Sequence, residues 1–300
     1  MIFFAAAMLL TIAQRRDSTL DRVQARIRQE PGAQVGLAYM DLGSGDTLFL
    51  NPDTSFHAAS TMKVPVMIEL FRRASTGSFG MSQRLMIVNQ FASIVDGSPY
   101  ALDPNSDSDT TLYHRVGARV PVDTLLRLMI TRSSNFATNI LIALVGADQV
   151  TRTMRLLGAK RIQVLRGVED GKAFDKGLNN TTTARDLATI LSAIEEGKAA
   201  SPEATREMRQ ILLAQEFNEK IPAGLPSGVR VAHKTGEITA HSHDAAIVYS
   251  PGRNPYVLVV LTRGIQDGAK ASKLIADISS IVYARNSARA DAQAGHITQE

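Results

Sequence analysis

The feature that most restricts the fold is a change of hydrophobic period that happens twice along the chain. Gln34 to Met40 (QVGLAYM) and Thr47 to Leu50 are short β-type runs, and the Asp41-Leu42-Gly43-Ser44-Gly45-Asp46 stretch between them predicts a hairpin. From about Thr61 to Ile194 the apolar residues fall instead into helix-length segments: Val64–Arg73, Val122–Ile130, Asn135–Val145, Gln149–Leu157 and Ala184–Ile194. A further helix, Pro202–Gln215, precedes three strand-like runs at Val229–His233, Ala245–Ser250 and Tyr256–Arg263. Helical patterns at Ser18–Gln29 and Lys270–Ala284 close the two ends. This order predicts an α/β (α+β) fold: a five-stranded, mainly antiparallel sheet flanked by the terminal helices, with an all-helical block inserted after the second strand. The sheet domain is expected at residues 17–58 and 202–286, the helical domain at 59–201 and a polar tail at 287–300. The seam between the two lobes is the natural place for a site. Asp96 to Val120, rich in Ser, Asp, Pro and Thr, reads as a long surface loop.

The chain has 300 residues and no Cys, which removes disulfides, thiolate metal sites and Cys nucleophiles, leaving hydroxyl, carboxylate, Lys and His chemistry. Lys and Arg exceed Asp and Glu by only 33 to 29, too small an excess to argue for a nucleic-acid partner. Ile2 to Ala13 (IFFAAAMLLTIA) is an apolar run far short of the roughly 20 residues a spanning helix needs. It reads as a secretory core, with residues 1–13 as a signal peptide and Gln14-Arg15-Arg16 opening the polar chain. The expectation is an exported protein, periplasmic or secreted, with no stable membrane insertion after cleavage.

Three short motifs fall at the expected seam. Ser60-Thr61-Met62-Lys63 lies where the hairpin hands over to the first inserted helix, so the Lys sits one turn after the Ser on the same face. A Ser hydroxyl is a weak nucleophile until a neighbouring base takes its proton, and a Lys crowded by other cations can lose enough basicity to serve. Ser133-Ser134-Asn135 opens a second helix, and Lys234-Thr235-Gly236 follows a strand-like run, offering an anionic ligand a charge, a hydroxyl and a bare backbone. Each alone is also an ordinary cap or strand end. Their order relative to the inserted block gives them weight. His241-Ser242-His243-Asp244 lacks the spacing and the further ligands of a zinc hydrolase, so neither metal nor other cofactor is expected.

With these motifs, and with Phe56-His57-Ala58-Ala59, Asn180-Thr181-Thr182-Thr183 and Ser250-Pro251-Gly252-Arg253 in matching order, the sequence resembles the class A β-lactamase-like serine hydrolases of the β-lactamase and penicillin-binding superfamily, from about Val35 to Val282. The resemblance implies Ser60 as acyl-accepting nucleophile, Lys63 as its proton partner, Ser133 as proton relay to the leaving nitrogen and Asn135 as holder of the substrate amide. It implies Lys234 and Thr235 at the substrate carboxylate, with the backbone N–H groups of Ser60 and Glu237 as the oxyanion hole. The substrate would be a β-lactam or peptidoglycan-like small molecule, acted on by a monomer.

The sequence departs from that family at several points. Ser134 stands where an Asp is usual, Glu237 follows Gly236 where a small residue is more common, and no Arg opens the next strand. Lys220, ahead of Ala223-Gly224-Leu225-Pro226, resembles the position from which other relatives supply that cation. The loop Arg166–Asn180 lacks the usual Glu-x-x-Leu-Asn, leaving Glu169 as first candidate to activate the deacylating water, Asp175 as second, and as third alternative neither, both then being solvated loop charges. The rival readings are a penicillin-binding sensor that stays acylated and an esterase or D-Ala-D-Ala peptidase on the same fold.

Overall fold

A computed structural model describes residues 18–297. The expected signal segment, residues 1–13, lies outside the described residues. None of the described helices is long and apolar enough to cross a membrane.

The sheet is built from β1 (Gln34–Asp41), β2 (Thr47–Leu50), β3 (Arg230–Ile238), β4 (His241–Tyr249) and β5 (Tyr256–Arg263). Its order is β2-β1-β5-β4-β3, and every neighbouring pair is antiparallel. The middle strands read as near-continuous apolar runs because both faces are covered. Along β5, Val257, Val259 and Leu261 join the larger core beneath the inserted helices, while Tyr256, Leu258 and Val260 join a second core with Val23 of the first helix and Leu274, Ile275 and Ile278 of the last. This is the period-two alternation of a strand, with burial on both sides.

The helices are α1 (Ser18–Ile27), α2 (Lys63–Ser75), α3 (Val122–Thr131), α4 (Asn135–Val145), α5 (Ala147–Leu156), α6 (Gly171–Asp175), α7 (Ala184–Glu195), α8 (Pro202–Leu213) and α9 (Gly268–Ile297). Three begin on a hydroxyl cap: Ser134, Thr183 and Ser201 each accept a hydrogen bond from a first-turn amide, as short hydroxyl side chains do at helix starts.

Three expectations need correction. The polar tail does not begin at residue 287, since α9 continues to Ile297; its Ala- and Arg-rich sequence is a good helix former even where no apolar stripe marks it. β3 runs through Lys234-Thr235-Gly236 instead of ending before it, and β4 starts at His241 rather than Ala245. Thr235, Gly236 and Glu237 line a cleft and Ser242, His243 and Asp244 are buried polar groups, so the apolar signal on which the shorter strands were drawn is missing there. Finally, residues 96–120 hold defined structure: Pro99–Tyr100 pairs with Phe91–Ala92, and 3₁₀ turns form at Pro104–Ser106 and Tyr113–Arg115.

Candidate active site

Ser60 sits on a single 3₁₀ turn, Ala59–Met62, that precedes α2, so the chain enters the helix more tightly than its spacing implied. Ala59 holds φ at +45°, Ser133 at +58° and Glu169 at +61°. Left-handed backbone at a non-glycine residue costs of order 1–3 kcal/mol, and such residues persist only where their surroundings over-determine them. Two of the three are candidate site residues and the third adjoins Ser60.

Gly236 shows why β3 must carry a glycine there. A Cβ on it would come within 3.0 Å of the backbone nitrogens of Ser60 and Thr61 and 3.2 Å of the Ala59 Cβ. The close approach that this glycine permits is therefore to the nucleophile segment itself, beyond any approach to a ligand.

Around Ser60 the expected residues converge. Lys63 is wholly buried, and its Nζ donates to Asn135 Oδ1 (2.9 Å), to Ser133 Oγ (3.1 Å) and to the Ser133 carbonyl; its hydrogen bonds go to these groups and not to Ser60 Oγ. Burial pushes the Lys63 ammonium down to about 7, against the opposing pull of the Asp107 and Glu169 carboxylates, so neutral amine is plentiful at neutral pH. Lys234, equally buried, donates to Ser133 Oγ (3.0 Å) and to the Thr235 carbonyl (2.9 Å). Burial, and then the charge of Lys63, holds it well below the usual lysine range. Ser133 Oγ thus accepts from two lysines at once, which leaves its own proton to be given elsewhere.

Asn135 bridges the two sides of the site. Its Oδ1 accepts from Lys63 while its Nδ2 donates to Glu169 Oε1 at 2.7 Å. Glu169 also accepts from Ser106 Oγ at 3.2 Å. Burial raises the Glu169 carboxyl above its ordinary value, and the bonds from Asn135 and Ser106 work in the opposite direction. The loop that delivers Glu169 is tied shut at its neck: Asn180 Oδ1 accepts from the amides of Leu165 and Arg166, and Arg166 Nε donates to the Leu178 carbonyl. Gly167 fits because a Cβ there would stand 2.4 Å from Asn139 Oδ1, which instead accepts from the Val168 amide. Asp175, the other candidate, ends α6 on the exposed surface and lines neither cleft described below.

Two clefts meet at Ser60. One of about 860 Å³ is bounded by Ser60, Ser133, Asn135, Thr235, Glu237 and Lys220 and continues to the start of α9. The other, about 360 Å³, passes Ser60, Asn135 and Glu169 to reach His57, Phe174 and Ile238. Lys220 and Glu237 form an ion pair, Nζ to Oε1 2.6 Å.

Sequence reasoning missed Asp107. Its carboxylate accepts from the first two amides of α4, Asn135 and Phe136 (both 2.9 Å), and from the Tyr113 hydroxyl (3.0 Å). A carboxylate at a helix N-terminus is favoured by the free amides and the helix dipole. It supplies from the 96–120 loop the negative charge that Ser134 cannot; Ser134 Oγ only caps Ala137. Also missed was the buried His233–Asp244 pair (3.0 Å), in which Asp244 further accepts from the Ile221 amide and so seats the turn carrying Lys220. Two further histidines, His57 and His243, are structural. His243 Nε2 bonds the His57 carbonyl at 2.8 Å and packs edge-on to Phe56, while His57 Nδ1 accepts from the Ala59 amide.

The chain is similar to known proteins in sequence and in fold. The chain is 28% identical to a β-lactamase of Streptomyces albus G, over 88% of this chain and 84% of that protein. It is 31% identical to the β-lactamase AST-1 of Nocardia asteroides, over 86% of this chain and 81% of that one. Among solved structures, a mutant of PBP-A in acyl-enzyme complex with penicillin G superposes with a TM-score of 0.75 at 28% identity, covering 89% of this chain and 96% of that chain. The family model described as the beta-lactamase enzyme family matches residues 19–285, and the chain belongs to that family.

Proposed function

We propose that the protein is a serine β-lactamase, opening the β-lactam amide through an acyl-Ser60 intermediate and releasing the product with water. Neutral Lys63 takes the Ser60 proton as Oγ attacks the lactam carbonyl, and the negative charge that develops on the carbonyl oxygen is met by the backbone N–H groups of Ser60 and Glu237. Preorganised donors of this kind each lower a barrier by roughly 3 kcal/mol. The C–N bond then breaks, the nitrogen taking the Ser133 proton, which Lys63 or Lys234 replaces. Thr235 and the Lys234 and Lys220 cations face the substrate carboxylate, and Asn135 holds the amide of its side chain. In the second half, Glu169 takes a proton from water as that water attacks the ester, and Ser60 leaves with a proton returned through Lys63.

The observation that carries this reading is the Lys63–Asn135–Glu169 chain of hydrogen bonds. It supports Lys63 as the base for acylation and Glu169 as the base for deacylation, bonded to opposite ends of one amide in the site that holds Ser60. The acyl-enzyme of the related PBP-A mutant with penicillin G supports the covalent half. With its apolar residues 2–13 the chain would act after export.

The test is to mix the protein with a chromogenic cephalosporin and follow turnover and intact mass together, with Ser60→Ala as control. Multiple turnovers that vanish in the control are expected. A single lasting adduct would make it a penicillin-binding sensor, and no adduct would point to ester or peptide substrates.

A further inference from the structure

The cation expected to receive a substrate carboxylate is already occupied by a carboxylate of the protein. The Lys220 side chain is 4% exposed, while that of Glu237, 2.6 Å away across the ion pair, is 57% exposed. Both line the larger cleft with Ser60, Ser133 and Thr235.

Lys220 is anchored. The Ile221 amide donates to Asp244 Oδ2 (3.1 Å), the Ile221 carbonyl accepts from Ser279 Oγ (2.9 Å), and Gly224 lies so close to α9 that a Cβ on it would be 2.0 Å from the Ala276 carbonyl. Glu237 has only Lys220 and a 3.4 Å contact from Ser242 Oγ, and it stands near the exposed end of β3. The cation is therefore fixed and the anion free to turn. Of the other charges along this cleft, Lys273 is paired with Asp277 and Glu219 adds a second carboxylate beside Lys220, while Lys234 is buried outside the lining and turned to Ser133 and Thr235.

Resting on the function proposed above, we infer that Glu237 is a specificity-determining residue: a built-in competitor that holds Lys220 and that a substrate carboxylate must displace. A substrate carrying a carboxylate then spends part of its affinity in turning Glu237 out to solvent and in approaching a second negative charge. A neutral analogue bears neither cost. Discrimination of this kind arises from a repulsive element built against one ligand as much as from attraction to another. No bond is made or broken in the exchange; one carboxylate replaces another on the same ammonium.

The experiment measures the dissociation constants of penicillin G and of its methyl ester in the Ser60→Ala protein, so that binding is read without acylation. The ratio favouring the carboxylate is expected to rise about two- to fivefold in Ser60→Ala/Glu237→Gln, the range an ion pair with one exposed partner can supply. Adding Lys220→Met should abolish most of that rise, because the gain depends on the freed cation. An unchanged ratio, a rise that survives Lys220→Met, or no binding of either compound overturns the inference. Acylation of Ser60 by penicillin G in the unaltered protein, read by intact mass, reports separately on the proposed function. Loss of that signal with an intact ratio effect would sink the function and leave the role of Glu237 standing.

Discussion

Replacing Glu169 by Gln should divide the reaction at its midpoint. The change keeps the side-chain volume and an oxygen to accept from Asn135 Nδ2, and the new amide can turn its N–H groups toward Ser106 Oγ, so the two bonds that now seat Glu169 at 2.7 and 3.2 Å have replacements. What disappears is a carboxylate able to take a proton from water. Positioned general bases contribute about 10²–10⁴-fold, so turnover should fall by about 10³, or roughly 4 kcal/mol of barrier. Acylation should persist, because it draws on Lys63, and removing a neighbouring negative charge pushes that ammonium further below about 7 and leaves more neutral amine. Stopped-flow with a chromogenic cephalosporin should show a burst of one equivalent followed by a slow phase. Intact mass should show the adduct accumulating on Ser60. Asp175→Asn, at an exposed helix end, should leave both phases as they are. Unchanged steady-state turnover in Glu169→Gln would refute Glu169 as the water activator, and loss of the burst itself would mean that Glu169 is needed already for acylation.

Three other outcomes follow from the site and its surroundings. If neutral Lys63 is the base, the acylation rate should rise with pH as that ammonium loses its proton near 7; a stopped-flow profile whose acid limb lies below pH 5 would exclude it. Gly236→Ala puts a methyl 3.0 Å from the Ser60 and Thr61 nitrogens, so it should cost about 1–3 kcal/mol of stability in denaturant melts and lower acylation in parallel. Buried His243 has its pKa held down to about 4 by burial, below the ordinary 6.5, so the unfolded chain binds the proton more readily. Its neutral form stabilises the fold fully above pH 6.5, and about 3 kcal/mol is lost as pH falls from there to 4, which His243→Gln should remove from the pH dependence of Tm.

What could be read from the sequence, and what could not, divides on physical grounds. The longer helices were legible because they carry an apolar face and three of them open on a short hydroxyl cap, and β1 and β5 because burial on both faces makes them apolar throughout. Ser60, Lys63, Ser133, Asn135, Lys234 and Thr235 stood out because three short motifs, each weak alone, follow one another around the inserted block in the order of the family that the sequence resembles. Polar residues hid the limits of β3, which lines a cleft, and of β4, which opens on buried Ser242, His243 and Asp244, since both strands give up there the alternation by which strands are recognised. Contacts across long separations left no such signal. Asp107 is one polar residue in a run of Asp and Ser, and only the folded loop shows it capping α4, 28 residues further along, and facing Lys63. The family's usual Asp at the second position of the Ser-x-Asn motif is absent here, yet a negative charge still reaches the start of that helix from another segment. A motif read position by position registers the loss of a residue, whereas the site depends on where the charge lies; Asp107 restores the second without the first.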